Sequence, residues 1–393
     1  MVITNRAWLL ALCLLLSLPP LSGALAEDPA PKPAIRGLIS TGITVAEFNS
    51  STVKSITKKF PTLFQNSDQT VDLTGILGGL VIQVGWSTLE PTQPPANGPV
   101  TLTTDLVDAV LAAVKTYNIN AAKMLPPNNR QIGIRLRVYS GCNNAPGWAT
   151  SLDGAPVTIH AYYGTDAAGS PNYETCTTGK FWDHGSNYAT AWRQFQQALA
   201  AKYDANPLIQ EVAVTSCTSF SAEPFFLPYE ANGNGPPPDD TTAVLRANNY
   251  TAAAYQNCLE KAVPDDYAPW HTTRLEFSFN AFSGVLTPPN DIAFSERVMR
   301  VCRQSAGERC ILSNHDLGSV PPSASTVLPI YALERKFGPN LTYQTYVKTP
   351  ADYEGTIRKG VSLGAGAIEV WPDGYQAVSA AALQSWALMF EPQ

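Results

Sequence analysis

The chain has 393 residues, with 26 Lys and Arg against 32 Asp and Glu, a net charge of −6 and only 15% charged residues. No Lys/Arg run occurs, so a nucleic-acid partner lacks its electrostatic footprint. The length accommodates a large core, either as two domains or as one α/β barrel.

Residues 1–26 read as a signal peptide: Arg6 supplies the charged start, 9–18 an apolar run, and Ala24-Leu25-Ala26 a small-x-small cleavage site. The run is too short for a comfortable membrane span. Cys13 lies inside it rather than after the cleavage site, which speaks against a lipid anchor. A Pro-rich lead over 27–33 (Pro29, Pro31, Pro33) is expected to be extended or loose, and a barrel domain to fill 34–393. Export suits the remaining cysteines, Cys142, Cys176, Cys217, Cys258, Cys302 and Cys310. Their even count and the lack of any CxxC pair point to disulfides rather than zinc. Cys302–Cys310 would tie a helix end to the next strand across a short loop. Cys142–Cys176 would close an insertion, and Cys217–Cys258 would remain, although spacing alone does not settle connectivity. Sequons at Asn49, Asn249 and Asn340 matter only in a eukaryotic secretory host.

Eight short β-rich runs follow in order, at 34–41, 79–87, 132–140, 209–217, 273–280, 310–314, 341–346 and 365–371. Helix-like stretches lie between them, at 106–117, 188–203, 250–262, 295–304 and 350–361. Strand–helix alternation predicts parallel strands joined by right-handed crossovers, and eight units predict a closed (β/α)8 TIM barrel. A doubly wound open sheet is the alternative, but neither GxGxxG nor GxxxxGK[ST] follows the first strand. Long insertions at 151–181 and 224–241 follow the third and fourth strands, at the end where barrel enzymes build their sites.

The strands carry polar residues where a barrel interior is ordinarily apolar. In the third, Arg135, Arg137 and Tyr139 oppose Ile134, Leu136 and Val138; in the fifth, Glu276, Ser278 and Asn280 oppose Leu275, Phe277 and Phe279. Glu369 and Trp371 share a face of the eighth, and Thr342, Gln344 and Tyr346 one of the seventh. The deeper charges fit either a structural ion-pair network, such as Arg135 or Arg137 with Glu276, or catalysis. Those nearest the strand ends fit a ligand-lined mouth: Trp86, Arg137, Tyr139, Trp148, Asn280, His315, Gln344 and Trp371.

Four motifs carry a resemblance. Gly85-Trp86-Ser87-Thr88-Leu89-Glu90-Pro91, Ala145-Pro146-Gly147-Trp148, Ala222-Glu223-Pro224 and Ile368-Glu369-Val370-Trp371-Pro372 follow the second, third, fourth and eighth strands in order. Together they resemble glycoside hydrolases of clan A, such as the family forty-two β-galactosidases. The resemblance implies Glu223 as general acid/base, Trp371 as a sugar platform and Glu90 as a structural residue. It departs at Ala222, where the clan has Asn, and at Tyr343-Gln344-Thr345, where Gln344 replaces the nucleophilic glutamate. A second carboxyl is therefore sought elsewhere: Glu369 first, then Asp316, then Asp183. The expectation is a secreted, monomeric glycosidase acting on an oligo- or polysaccharide, with no cofactor, metal or membrane anchor. A carbohydrate-binding barrel without hydrolysis, and a lyase using Tyr139 or His315 as base, are the alternatives. HExxH and GxSxG motifs are absent.

Overall fold

The computed structural model describes residues 29–44, 60–96, 98–126, 129–165, 169–224, 241–287 and 290–391. The signal-peptide region, Asn49 and most of the 224–241 insertion lie outside the described residues. Among the described residues, no helix is long and apolar enough to cross a membrane.

Eight parallel strands close into a barrel. In order around it they are β1 (Gly37–Thr44), β2 (Gly79–Gly85), β3 (Gly133–Tyr139), β6 (Ile209–Ala213), β7 (Arg274–Ser278), β8 (Cys310–Leu317), β9 (Leu341–Thr345) and β10 (Ala365–Val370). Each coincides with one of the expected runs. The fourth is shorter than expected because the chain leaves the ladder at Val214: Thr215 N–H turns to the Tyr267 hydroxyl at 2.9 Å, and Cys217 adopts φ 60°. The remaining strands, β4 (Val157–Thr165) and β5 (Pro171–Thr178), form an antiparallel hairpin within the 151–181 insertion.

The expected helices form as Asp105–Ala121, Asn187–Tyr203, Ala252–Lys261, Ile292–Ala306 and Tyr353–Ser362, joined by Ala324–Lys336 and Ala380–Leu388. Each presents apolar residues at helical spacing to the outer face of the sheet. Asp105–Ala121 buries Val107, Val110, Leu111 and Val114, for example, and the strands answer with Ile134, Leu136 and Val138. The barrel interior is separate. Its lower end holds a small apolar cluster of Ile35, Ile39, Val81 and Ala367. Above this lie the charged residues of β3, β6, β7 and β10.

The lead segment is anchored rather than loose where it meets the barrel. Lys32 Nζ donates to the carbonyls of Asn206 (2.8 Å) and Ile209 (2.7 Å) and to Thr273 Oγ1 (2.8 Å). Burial lowers its pKa to about 8, partly opposed by Asp204.

The six described cysteines form the three pairs suggested, a connectivity that spacing had left open: Cys142–Cys176, Cys217–Cys258 and Cys302–Cys310, with Cα separations of 4.7, 5.9 and 5.8 Å. The first two clamp the segments after β3 and β6, at the C-terminal mouth of the barrel. Gly141 lets those segments meet, since a Cβ there would lie 2.1 Å from the Ser219 carbonyl oxygen.

Candidate active site

Register sets the depth of each inward side chain. Arg135 on β3 is level with Val81 and Glu211, Arg137 is level with Gln83, and Glu369 on β10 is level with Gln344. These levels bring two arginines and three glutamates into one buried cluster. Arg135 Nε and Nη2 donate to Glu211 Oε2 at 2.8 and 2.6 Å, and Arg135 Nη1 donates to Glu369 Oε1. Arg137 Nη2 donates to the same Glu369 oxygen at 2.7 Å. Glu276 lies 3.8 Å from Arg135 and 3.7 Å from Arg137. Burial opposes charge on Glu276 and Glu369, but the guanidiniums outweigh it and hold both carboxyls below the usual range. Such a cluster survives burial because each charge meets an opposite one.

Glu369 is consequently not at the mouth. It is wholly buried, with one oxygen shared by two guanidiniums. The expected mouth position is not where Glu369 lies; its contacts are those of the ion-pair alternative. Glu276, His315 and Glu369 present ligand atoms within 4.8 Å of one another, a spacing that would suit a cation. The two guanidiniums already supply positive charge to those carboxylates, so the donor set does not fit a metal.

Above the cluster sits His315, on β8. Its Nε2 faces Glu276 Oε1 at 3.6 Å and its Nδ1 faces Glu223 Oε1 at 2.9 Å. Burial disfavours the charged ring, yet Glu223 and Glu276 raise its pKa to about 9. Asn280 Nδ2 donates to the other Glu223 oxygen at 3.1 Å, and Asn314 Nδ2 donates to Asn280 Oδ1 at 2.7 Å. Glu223 thus accepts on both oxygens, and its own N–H donates to Ser221 Oγ at 3.2 Å. Its segment is braced from below: Ser140 Oγ donates to the Thr215 carbonyl at 2.6 Å, and Thr215 Oγ1 to the Val138 carbonyl. Asp316, half-buried beside His315, has its pKa pushed up to about 6 by burial and by the negative charge of Glu223, with His315 opposing.

Beside Glu223, a cavity of about 270 Å³ is lined by Gln83, Tyr139, Asn144, Phe220 and Ser221, among others. The Tyr139 hydroxyl donates to Gln83 Oε1 at 2.6 Å. A larger cavity, about 660 Å³, lies at the opposite end of the barrel around Arg130, Gln210 and Arg274, away from these carboxyls.

The remaining expected residues divide. Asn280, His315 and Glu223 form one hydrogen-bonded set. Gln344 is half-buried near the end of β9. Trp371, also half-buried, follows β10; its indole donates to the Thr345 carbonyl at 3.3 Å, and Lys348 Nζ stands 5.5 Å from its ring. Arg137 belongs to the buried cluster rather than to the open mouth. Trp86 is also displaced from the expected position, being fully buried on the outer side among Trp148, Tyr188, Trp192 and Phe195. The chain turns out of β2 into the one-turn helix Trp86–Leu89, which carries the indole toward the helix layer. There Trp86 Nε1 donates to Glu90 Oε2 at 2.7 Å, and burial raises the Glu90 pKa to about 7 against that bond. Trp148 is half-buried, with its indole donating to the Glu90 carbonyl at 3.2 Å. Asp183 accepts from Gly185 N–H at 2.9 Å in a loop turn.

Sequence reasoning passed over Glu211, Gln83 and Asn314. Asn314 was legible as a polar neighbour of His315. Glu211 was not, because β6 is too short to show an alternating face.

The molecule is thus a (β/α)8 barrel with a buried arginine–glutamate cluster beneath a carboxyl-bearing mouth. No family model matches the chain, and no curated protein matches it. Among solved structures, it is similar to an exo-β-1,4-mannosidase from Opitutaceae bacterium strain TAV5 (9% identity, TM-score 0.40), covering 88% of this chain and 54% of that one. It is also similar to the carboxyl transferase domain of Rhizobium etli pyruvate carboxylase (9%, TM-score 0.34; 90% and 47%). A third is a β-mannanase from the blue mussel Mytilus edulis (10%, TM-score 0.44; 93% and 96%). The chain spans about half the length of the first two. Likeness at this level assigns no chemistry.

Proposed function

We propose that the chain hydrolyses glycosidic bonds in an oligo- or polysaccharide, with Glu223 and Asp316 as its working carboxyls. The observation that carries this reading is their contrast. Glu223 accepts hydrogen bonds on both oxygens, from His315 and Asn280. Asp316, beside it, has its pKa pushed up to about 6. Two neighbouring carboxyls in such different environments suit the division between a base or nucleophile and an acid. The roles are then the reverse of the expected ones. Asp316 protonates the leaving oxygen, and Glu223 attacks the anomeric carbon or activates water. Trp371 offers an apolar face to a sugar ring, and Gln344 and Tyr139 offer hydrogen bonds to hydroxyls.

The test is a screen of plant and microbial polysaccharides with wild type, Glu223→Gln and Asp316→Asn. Each variant should fold and lose about 10²-fold or more in turnover. Tight oligosaccharide binding without turnover by wild type would favour the non-hydrolytic barrel, and an unsaturated product would identify a lyase.

A further inference from the structure

We propose that His315 is a positioning residue held as an imidazolium, linking the Glu223 carboxylate to the buried arginine–glutamate cluster. Two observations carry this independently. First, both ring nitrogens face carboxylates: Nδ1 meets Glu223 at 2.9 Å and Nε2 meets Glu276 at 3.6 Å. A neutral imidazole has one N–H donor and one lone pair, so it would turn that lone pair toward one of the two anions; only the charged ring presents an N–H to each, as a hydrogen bond to Glu223 and as a longer ion-pair approach to Glu276. Second, Glu276 is the least well paired carboxylate of the cluster beneath. Arg135 and Arg137 bond Glu211 and Glu369 closely, and buried Arg274 also bears on Glu211. Glu276 has only the longer approaches of the two guanidiniums, at 3.8 and 3.7 Å, and its Oε1 has no hydrogen-bond partner. An imidazolium facing that oxygen adds the positive charge that a buried carboxylate needs.

Groups bearing on the ring come from every side: Glu276 on β7, Arg137 on β3, Glu369 on β10, Glu223 after β6, Glu334 on Ala324–Lys336, and Asp316 next in the chain. Burial opposes the charge first, and Arg137 second. Burial keeps Glu334 well above the usual carboxylate range, so it adds little negative charge of its own. The sum favours the imidazolium.

The consequence for Glu223 is geometric. Its carboxylate is fixed between a charged donor that is itself anchored in the barrel core and the amide of Asn280. A carboxylate so held does not swing between rotamers, and misplacement of a reacting group by about 1 Å can cost on the order of 10²-fold in rate. This catalytic consequence rests on the glycosidase reading; the charge state of the ring does not.

The experiment uses the full chain with ¹⁵N-labelled histidine. There are only four histidines, and His315→Asn identifies the signals of interest. At pH 7 the His315 ring should show two protonated nitrogens, losing a proton only around pH 9. In Glu223→Gln, that midpoint should move back toward the ordinary histidine range. One protonated and one bare nitrogen at pH 7, or a midpoint indifferent to Glu223→Gln, would overturn the proposal. In turnover, His315→Asn should lower kcat by about 10²-fold with KM nearly unchanged, and His315→Lys, which keeps a charge, should recover part of it. Unchanged kcat in His315→Asn would also overturn it. Lack of any glycan turnover by wild type would sink the glycosidase reading while leaving the NMR arm to decide the charge.

Discussion

Glu369→Gln separates a structural carboxylate from a catalytic one. The native Glu369 oxygen is shared by Arg135 and by Arg137 at 2.7 Å. At an effective dielectric of about 20, one such contact is worth roughly 6 kcal/mol of attraction, much of it cancelled by desolvation. Replacing the carboxylate by an amide removes the charge; the amide oxygen can stay on the arginines and the N–H₂ group takes the place of the oxygen that has no partner. Breaking a buried pair in this way costs about 3–5 kcal/mol. Because Gln keeps one acceptor, about 3 kcal/mol is expected, or roughly 4 °C in Tm for a chain this long. The measurement is denaturant and thermal unfolding alongside kcat on the folded fraction. Glu223→Gln should show a different pattern, with turnover lost and a smaller loss of stability, from its pair with His315. A Glu369→Gln protein as stable as wild type yet inactive would refute the structural assignment and return Glu369 to catalysis.

Other outcomes follow from the same geometry. His315 has a folded pKa raised to about 9, so its stabilising contribution is fully present below the unfolded value of about 6.5. That contribution should fade as pH rises through about 9; in His315→Asn this alkaline loss of stability should be absent from unfolding curves, and its persistence would count against the ion pair. Removing Cys217–Cys258 by paired Ser substitution should cost about 2–5 kcal/mol. It should also loosen the Glu223 segment, so denaturant midpoints and turnover should both fall. Expressed through a eukaryotic secretory pathway, the chain should carry glycan at exposed Asn249. Asn340, whose amide donates to the Glu308 carbonyl at 3.0 Å, should remain bare; peptide mass spectrometry finding the reverse would contradict this.

The barrel was legible because its two layers obey different periods. Alternation in β3 and β7 separated Ile134, Leu136 and Val138 from Arg135 and Arg137, and Leu275 and Phe277 from Glu276, before any contact was known. Inward charges imply partners, and the arginines did find glutamates. Which glutamates they found depended on strand order and shear, which no single strand reveals. Glu211 enters because β6 pairs with β3, a neighbour separated from it in sequence by the β4–β5 hairpin. Trp86 misled for a local reason. A motif fixes residue identity, but the direction of a side chain at a strand end depends on whether the next turn continues the strand or folds into a helix. Here Trp86–Leu89 folds at once, and the indole follows it outward. Asp316 was ranked behind Glu369 because strand parity favours inward residues; β8 loses its regular register with β9 between Asn314 and Leu317, where parity stops predicting direction.

Charge in the barrel core reaches the mouth in sequence. The Glu276 carboxylate favours a proton on His315, and the ring in turn donates to Glu223. The anionic Glu223 in turn raises Asp316, whose pKa of about 6 reflects burial first and Glu223 second. If this ordering is causal, Glu223→Gln removes the second contribution, and the Asp316 pKa should fall while its burial stays the same. Residual elevation would then reflect burial less the opposing effect of His315. Carboxyl ¹³C shifts followed through the acid range read this directly, with Asp316→Asn identifying the signal. His315→Asn should act oppositely on the same carboxyl, since loss of the imidazolium removes the one group that lowers its pKa. An Asp316 that titrates identically in all three proteins would break the link between the two mouth carboxyls, and with it the assignment of one as base and the other as acid.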